Sequence, residues 1–200
     1  MATHPDSIDR DRRALAVLLA ERSYIQGEFV LTSGRRSSVY FDCRLTTCHA
    51  EAMPLIARAC LAELRRAGSW PRCVGGMTAG ADPIAAAIAY GSLAEGPAID
   101  AFSVRKERKS HGTGKWIEGC AESPVVVVED VVTSGGSVIR AIARCREEGL
   151  EIAHVVALVD REEGGMAAVE AAAGGAPVTA LFTRSELDAL REGEGGGSAG

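Results

Sequence analysis

The spacing of apolar residues changes character several times along the chain. Ala14, Leu15, Leu18 and Leu19 recur on one face of a helix, with Asp6, Ser7 and Asp9 ahead of them as candidate caps. Over residues 24–42 the rhythm becomes extended. Two short β-type pieces, 29–31 and 39–41, flank the polar turn Ser33-Gly34-Arg35-Arg36, and residues 50–67 return to helical spacing. Beyond that point β-type runs at 73–75, 99–104, 125–128, 153–159 and 178–182 alternate with helical stretches at about 82–93, 137–148, 165–173 and 185–191. Residues 125–128 are four consecutive valines, the pattern of a strand covered on both faces. Strands alternating with helices predict an α/β fold: a parallel central sheet of about five strands, flanked by helices and joined by right-handed crossovers.

Two segments break the rhythm. Residues 105–119 are basic and punctuated by glycine, the pattern of a long exposed loop, and residues 192–200 (EGEGGGSAG) have the composition of a disordered tail. The remaining 191 residues make one domain, large enough for a substantial core.

Composition narrows the function. The chain is 46% hydrophobic and 24% charged with a net charge of −5, so a general affinity for nucleic acid or anionic membrane is not expected. No apolar run approaches the roughly 18–20 residues of a membrane span, and the polar N-terminus lacks a signal-peptide core. These features predict a soluble, cytoplasmic protein. Cysteines stand at 43, 48, 60, 73, 120 and 145 without a CxxC pair or a histidine at metal-ligand spacing, which reads as reduced thiols packed as small apolar groups.

The most informative stretch runs from Val125 to Ser137. An apolar strand leads to Glu129 and Asp130, then to a loop of hydroxyls and glycines, Thr133-Ser134-Gly135-Gly136, and a helix starting near Ser137. In an open α/β sheet ligands bind beyond the carboxyl ends of strands, where this loop must lie. Converging amides at Gly135 and Gly136 and the helix N-terminus suit a phosphate monoester, while Thr133, Ser134 and Ser137 add donors. Carboxylates beside a phosphate would repel it unless they accept from sugar hydroxyls or neutralise a cation. Glu129 and Asp130 therefore point to a ribose phosphate and to Mg²⁺ held through water. A Walker A loop is excluded, since GxxxxGK[ST] does not occur.

Arg105, Lys106, Arg108, Lys109, His111 and Lys115 supply the cations that this cradle lacks, and Gly112, Gly114 and Gly119 supply the flexibility of a lid. Positive charge so placed stabilises a departing diphosphate.

The stretch 125–137 resembles the motif by which type I phosphoribosyltransferases bind phosphoribosyl diphosphate (PRPP), including Val131 and Val132 within the block. Arg105-Lys106-x-x-Lys109-x-His111-Gly112 resembles the catalytic loop of the orotate phosphoribosyltransferases, and the likeness extends from about Leu15 to Leu190. The resemblance implies transfer of the phosphoribosyl group from PRPP to orotate, with Mg²⁺, to give orotidine 5′-monophosphate in pyrimidine synthesis. It implies that Arg105, Lys106, Lys109 and His111 contact the diphosphate, and that their loop enters the partner's site in a homodimer. Residues 29–42 look like the family's small N-terminal hood, within residues 1–45, which would lay Tyr40 and Phe41 against orotate. Thr133 would lie near the base, and Arg161 would hold the carboxylate that distinguishes orotate from uracil.

Residues Thr78, Ala79, Gly80 and Ala81 occupy the place of the family's diphosphate loop, followed by Asp82 as a candidate holder of a magnesium-bound water. Gly80 stands where many members have lysine, as does Thr32 for some, so diphosphate binding would lean on the amides of 78–81. A phosphoribosyltransferase for another base would keep the cradle without needing Arg161. A PRPP-sensing regulator would need a DNA-binding module, for which the single helix before Tyr24 is too little.

Overall fold

The computed structural model describes residues 5–30, 36–108 and 115–195. Helix α1 (Pro5–Arg22) buries Leu15 and Leu19 completely, as their spacing predicts. Strands β1 (Tyr24–Val30) and β2 (Arg36–Phe41) pair antiparallel, Tyr24 opposite Phe41, and form the separate N-terminal hairpin. A short α2 (Arg44–Thr47) and the amphipathic α3 (Ala52–Arg66) lead into the sheet. Then come β3 (Cys73–Met77), α4 (Asp82–Glu95), β4 (Asp100–Val104), β5 (Ile117–Gly119), β6 (Val125–Val132), α5 (Gly136–Glu147), β7 (Ile152–Asp160), α6 (Gly165–Ala173), β8 (Val178–Thr183) and α7 (Arg184–Gly195).

Among the described residues the main sheet has six strands in the order β5-β4-β3-β6-β7-β8, all parallel except β5, which runs antiparallel to β4. The valine run is buried as expected. Val126 and Val128 join the core under α1, α3 and α4, while Val125 and Val127 join the core under α5 and α6. Each strand residue thus serves one of two layers, which is why no polar position interrupts the run.

Several expectations are corrected. The sheet has a sixth strand because Ile117–Gly119, assigned to the basic loop, pairs with β4 instead. That pairing is non-local and leaves no periodic trace in three residues. Strand β6 does not stop at Val128 but carries Glu129 and Asp130 within it and ends at Val132. Helix α7 continues to Gly195 rather than giving way to a tail at 192, since Leu187 is buried and the Arg191 guanidinium lies 4.3 Å from the Tyr24 ring centroid. Residues 196–200 lie outside the described residues.

The order of strands fixes where a ligand can sit. From β3 the chain crosses through α4 to β4 on one side, and from β6 it crosses through α5 to β7 on the other. The chain therefore diverges between β3 and β6, opening a crevice at their carboxyl ends. The loop after β3 and the loop after β6 flank it.

Leu158, wholly buried in the interior strand β7, tests the core directly. Leu158→Ala is expected to lower the unfolding free energy by about 2–5 kcal/mol in urea denaturation. Val30→Ala at the exposed end of the hairpin should stay within about 0.5 kcal/mol of the parent.

Candidate active site

At the end of β6 the chain turns through Thr133, Ser134 and Gly135 into α5. Gly135 has φ +78°, a left-handed conformation that a side chain would strain, and its carbonyl accepts the first helical bond from the Ile139 amide (2.9 Å). The amides at the start of α5 therefore precede the helical ladder and face outward, as an anion site requires. A cleft of about 290 Å³ opens here, lined by Glu129, residues 131–138 and Arg140.

Two supports of this cradle lie outside the residues that the sequence motif singles out. Gly165, the first residue of α6, packs against the loop so tightly that a Cβ there would lie 2.8 Å from the Gly135 nitrogen. Arg140, one turn into α5, lines the cleft and donates to Ser137 Oγ (3.4 Å), adding a cation to the amides. Its position three residues after Ser137 was a legible signal.

Glu129 and Asp130 are only 5% and 8% exposed. Burial, reinforced by the neighbouring Asp130, raises the Glu129 carboxyl well above the usual carboxylate range, and burial raises that of Asp130 too. Glu129 Oε2 is buried without a hydrogen-bond partner. Such an acceptor fits a ribose hydroxyl or a water held by a cation, so the donor set suits Mg²⁺. Asp130 turns to the other loop: a Cβ on Gly80 would meet its Oδ1 at 2.8 Å. The acid pair therefore spans the crevice, with the Asp130 carboxylate lying close over the bare backbone of Gly80. Cys43, just past the hairpin, donates its thiol to the Asp130 carbonyl (3.4 Å).

In the β3–α4 loop the amides of Thr78 and Ala81 already donate to Val104 (2.9 Å) and Met77 (3.2 Å). The offer of amides expected from 78–81 thus narrows to Ala79 and Gly80. Asp82 accepts from the hydroxyls of Thr78 (2.6 Å) and Ser103 (2.7 Å), one on each oxygen. The first contact closes the loop on itself and the second ties it to β4, and each oxygen keeps a lone pair to accept from a further donor.

Arg105 and Lys106 leave β4 at the rim. The Arg105 side chain pairs with Glu118 (3.1 Å), and Lys106 is exposed. Lys109 and His111, the other two catalytic candidates, lie outside the described residues, as does Thr32. Both roots of the loop are held by the far half of α5. Arg144 donates to the carbonyls of Arg105 and Lys106, the latter at 2.9 Å, and stacks 4.0 Å from the centroid of Trp116. The Trp116 amide donates to Glu148 (3.0 Å), its indole N–H to Glu147 (2.7 Å), and its carbonyl accepts from the Arg105 amide (2.9 Å). Sequence gave no sign of this clamp, because its partners are far apart along the chain.

Tyr40 and Phe41 part company. Tyr40 is partly exposed beside Phe29, with ring centroids 5.5 Å apart, whereas Phe41 is buried edge-on against Tyr24 at 4.9 Å. Neighbouring residues of a strand point to opposite faces, so of this pair Tyr40 is the one turned outward. Arg161 follows β7, its amide donating to the Val132 carbonyl (3.0 Å), which sets it beside the cradle strand and Thr133. Its side chain is 10% exposed, pairs with Glu163 (2.9 Å), and keeps a buried Nε without a partner. It is no surface arginine.

Comparison with known proteins agrees with this geometry. The profile of the phosphoribosyl transferase domain matches residues 51–173. The orotate phosphoribosyltransferase of Rhodopirellula baltica is 44% identical over 168 residues, covering 80% of this chain and 86% of its own. That of Aquifex aeolicus is 44% identical over 182 residues, covering 88% and 97%. The crystal structure of the Mycobacterium tuberculosis orotate phosphoribosyltransferase in complex with PRPP superposes with a TM-score of 0.72 at 35% identity, covering 89% of this chain and 99% of that one. Likeness at this level, sustained through both the hairpin and the sheet, means that the chain belongs to the orotate phosphoribosyltransferase family.

Proposed function

We propose that the chain transfers the phosphoribosyl group from PRPP to orotate, giving orotidine 5′-monophosphate and diphosphate, a step of pyrimidine nucleotide synthesis. The observation that carries this reading is the crevice between β3 and β6, where an amide cradle meets an unpartnered buried carboxylate.

The 5′-phosphate sits at the amides of residues 134–138 with Thr133, Ser134, Ser137 and Arg140 around it. Glu129 accepts from the ribose hydroxyls, with Asp130 beside it. The diphosphate lies toward Ala79 and Gly80. As the base nitrogen bonds to the anomeric carbon, the bond to the diphosphate oxygen breaks and the sugar becomes oxocarbenium-like. Charge grows on the leaving diphosphate, so Arg105, Lys106, Lys109 and His111 act where the transition state differs most from the ground state. Each well-placed group contributes roughly 2–4 kcal/mol. Mg²⁺ bound with PRPP, held through water by Glu129 and Asp130, would neutralise diphosphate charge. Arg161 holds the orotate carboxylate, its orphaned Nε gaining a partner there, and Tyr40 covers the ring.

The loop's likeness to its family carries a homodimer into the same proposal, each loop serving the partner's site. An apolar groove between α3 and α4, with Tyr90 82% and Leu93 69% exposed, supports association with a second copy. A cytoplasmic location belongs with it, since a substrate as charged as PRPP does not cross bilayers.

Purified protein given orotate, PRPP and Mg²⁺ is expected to consume orotate; turnover of uracil or a purine in its place would overturn the assignment of the base. Arg161→Ala should raise KM for orotate at least tenfold, about 1.4 kcal/mol, with KM for PRPP little changed. For Lys109→Ala the loss should fall on kcat far more than on orotate binding. The same split is expected of the positioning residue Arg144: Arg144→Ala frees the loop roots, so kcat drops while orotate affinity holds. Equal losses in both constants would argue against a transition-state role for the loop.

A further inference from the structure

At the opposite end of the sheet from the crevice lies a cluster that the reaction does not use. Cys73 opens β3, Asp100 opens β4 directly beside it in register, and Cys120 follows β5. Gly119, with φ +94°, turns the chain just before Cys120; a Cβ there would meet the Ala101 carbonyl at 2.8 Å. The two Sγ atoms and one Asp100 carboxylate oxygen all lie within 4.8 Å of one another. Cys73 is buried, while Cys120 and Asp100 are exposed, so the cluster has a rigid inner ligand and an open approach. The Glu122 amide donates to Cys73 Sγ (3.2 Å), the kind of outer contact that orients a ligating sulfur.

We propose that Cys73, Asp100 and Cys120 form a binding site for a thiophilic divalent cation of the Zn²⁺ class. Tetrahedral zinc with Zn–S bonds of ~2.3 Å sets its sulfurs ~3.8 Å apart, so the donors need to close by no more than about 1 Å. Two thiolates and one carboxylate satisfy three positions, and water takes the fourth. Binding releases the two thiol protons to solvent. The three ligands come from three adjacent strands, so the cation would staple the short antiparallel strand β5, and with it the trailing root of the basic loop, to β4 and β3. Among the remaining cysteines only Cys48 is exposed, and Cys43, Cys60 and Cys145 are buried singly, which gives the site a built-in control.

Reduced, chelator-treated full-length protein titrated with Zn²⁺ by calorimetry is expected to take up one equivalent per chain and to gain thermal stability. Co²⁺ used in its place should give a thiolate-to-cobalt charge-transfer band. Cys120→Ser should weaken Zn²⁺ binding at least tenfold and cut the intensity of that band at saturation by about half, one of the two thiolates being lost, while leaving orotate turnover intact as proof of folding. Asp100→Asn should weaken binding with the band retained, and Cys48→Ser should change neither. The proposal is overturned if the parent takes up no Zn²⁺, if Cys120→Ser binds as the parent does, or if the reduced pair ignores Zn²⁺ and instead closes to a Cys73–Cys120 disulfide under peroxide.

Discussion

Everything at the crevice turns on two carboxyl groups carried into the protein interior by a strand covered on both sides. Burial disfavours their ionised forms, and the neighbouring carboxyl adds to that cost at Glu129. No core-packing argument accounts for acids at positions 129 and 130 of β6. A sugar presenting hydroxyls, or a hydrated cation, supplies the donors that the Glu129 oxygen lacks. The free protein thus holds an unfavourable arrangement that ligand relieves, a common pattern where binding rather than stability has set the residues.

The same pair organises the loops on either side. Glu129 faces the phosphate cradle, and Asp130 presses on Gly80 across the crevice. A lysine at position 80 would have to displace that carboxylate, so its absence is consistent with the local packing. In the proposed reaction the backbone at 79–80 and the basic loop then take over the diphosphate. Glycine acts similarly at the other flank, where Gly165 lets α6 approach the Thr133–Gly135 turn closely enough to brace it.

Legibility in the sequence tracked the distance between interacting residues. The cradle was readable because strand, acids, hydroxyls and glycines follow one another within a single stretch, and the valine run declared both covering layers. Strand β5 was not, since three residues of mixed character acquire their conformation only from β4. Arg144 reads as an ordinary helix-surface cation until Trp116 and the carbonyls of 105 and 106 are brought to it. The pair Tyr40 and Phe41 shows a different limit: likeness to a family assigns both to the base, but the alternation of a strand sends Phe41 into the core. Asp82 reads as a metal-water ligand by type, and its two hydroxyl partners add a bracing role that no spacing announces. Cysteines 73 and 120 looked inert because their meeting depends on the order of the strands.

Helix α5 is about 18 Å long. Its first turn lines the cleft after β6, and its far end carries the arginine and glutamates on which both ends of the basic loop are mounted. It works as a strut with the cleft at one end and the two roots of the basic loop at the other. The position of those roots is therefore gauged from the amide cradle and not from the hairpin. In the proposed reaction, discrimination among bases falls to the hairpin and to Arg161, neither of which holds those roots.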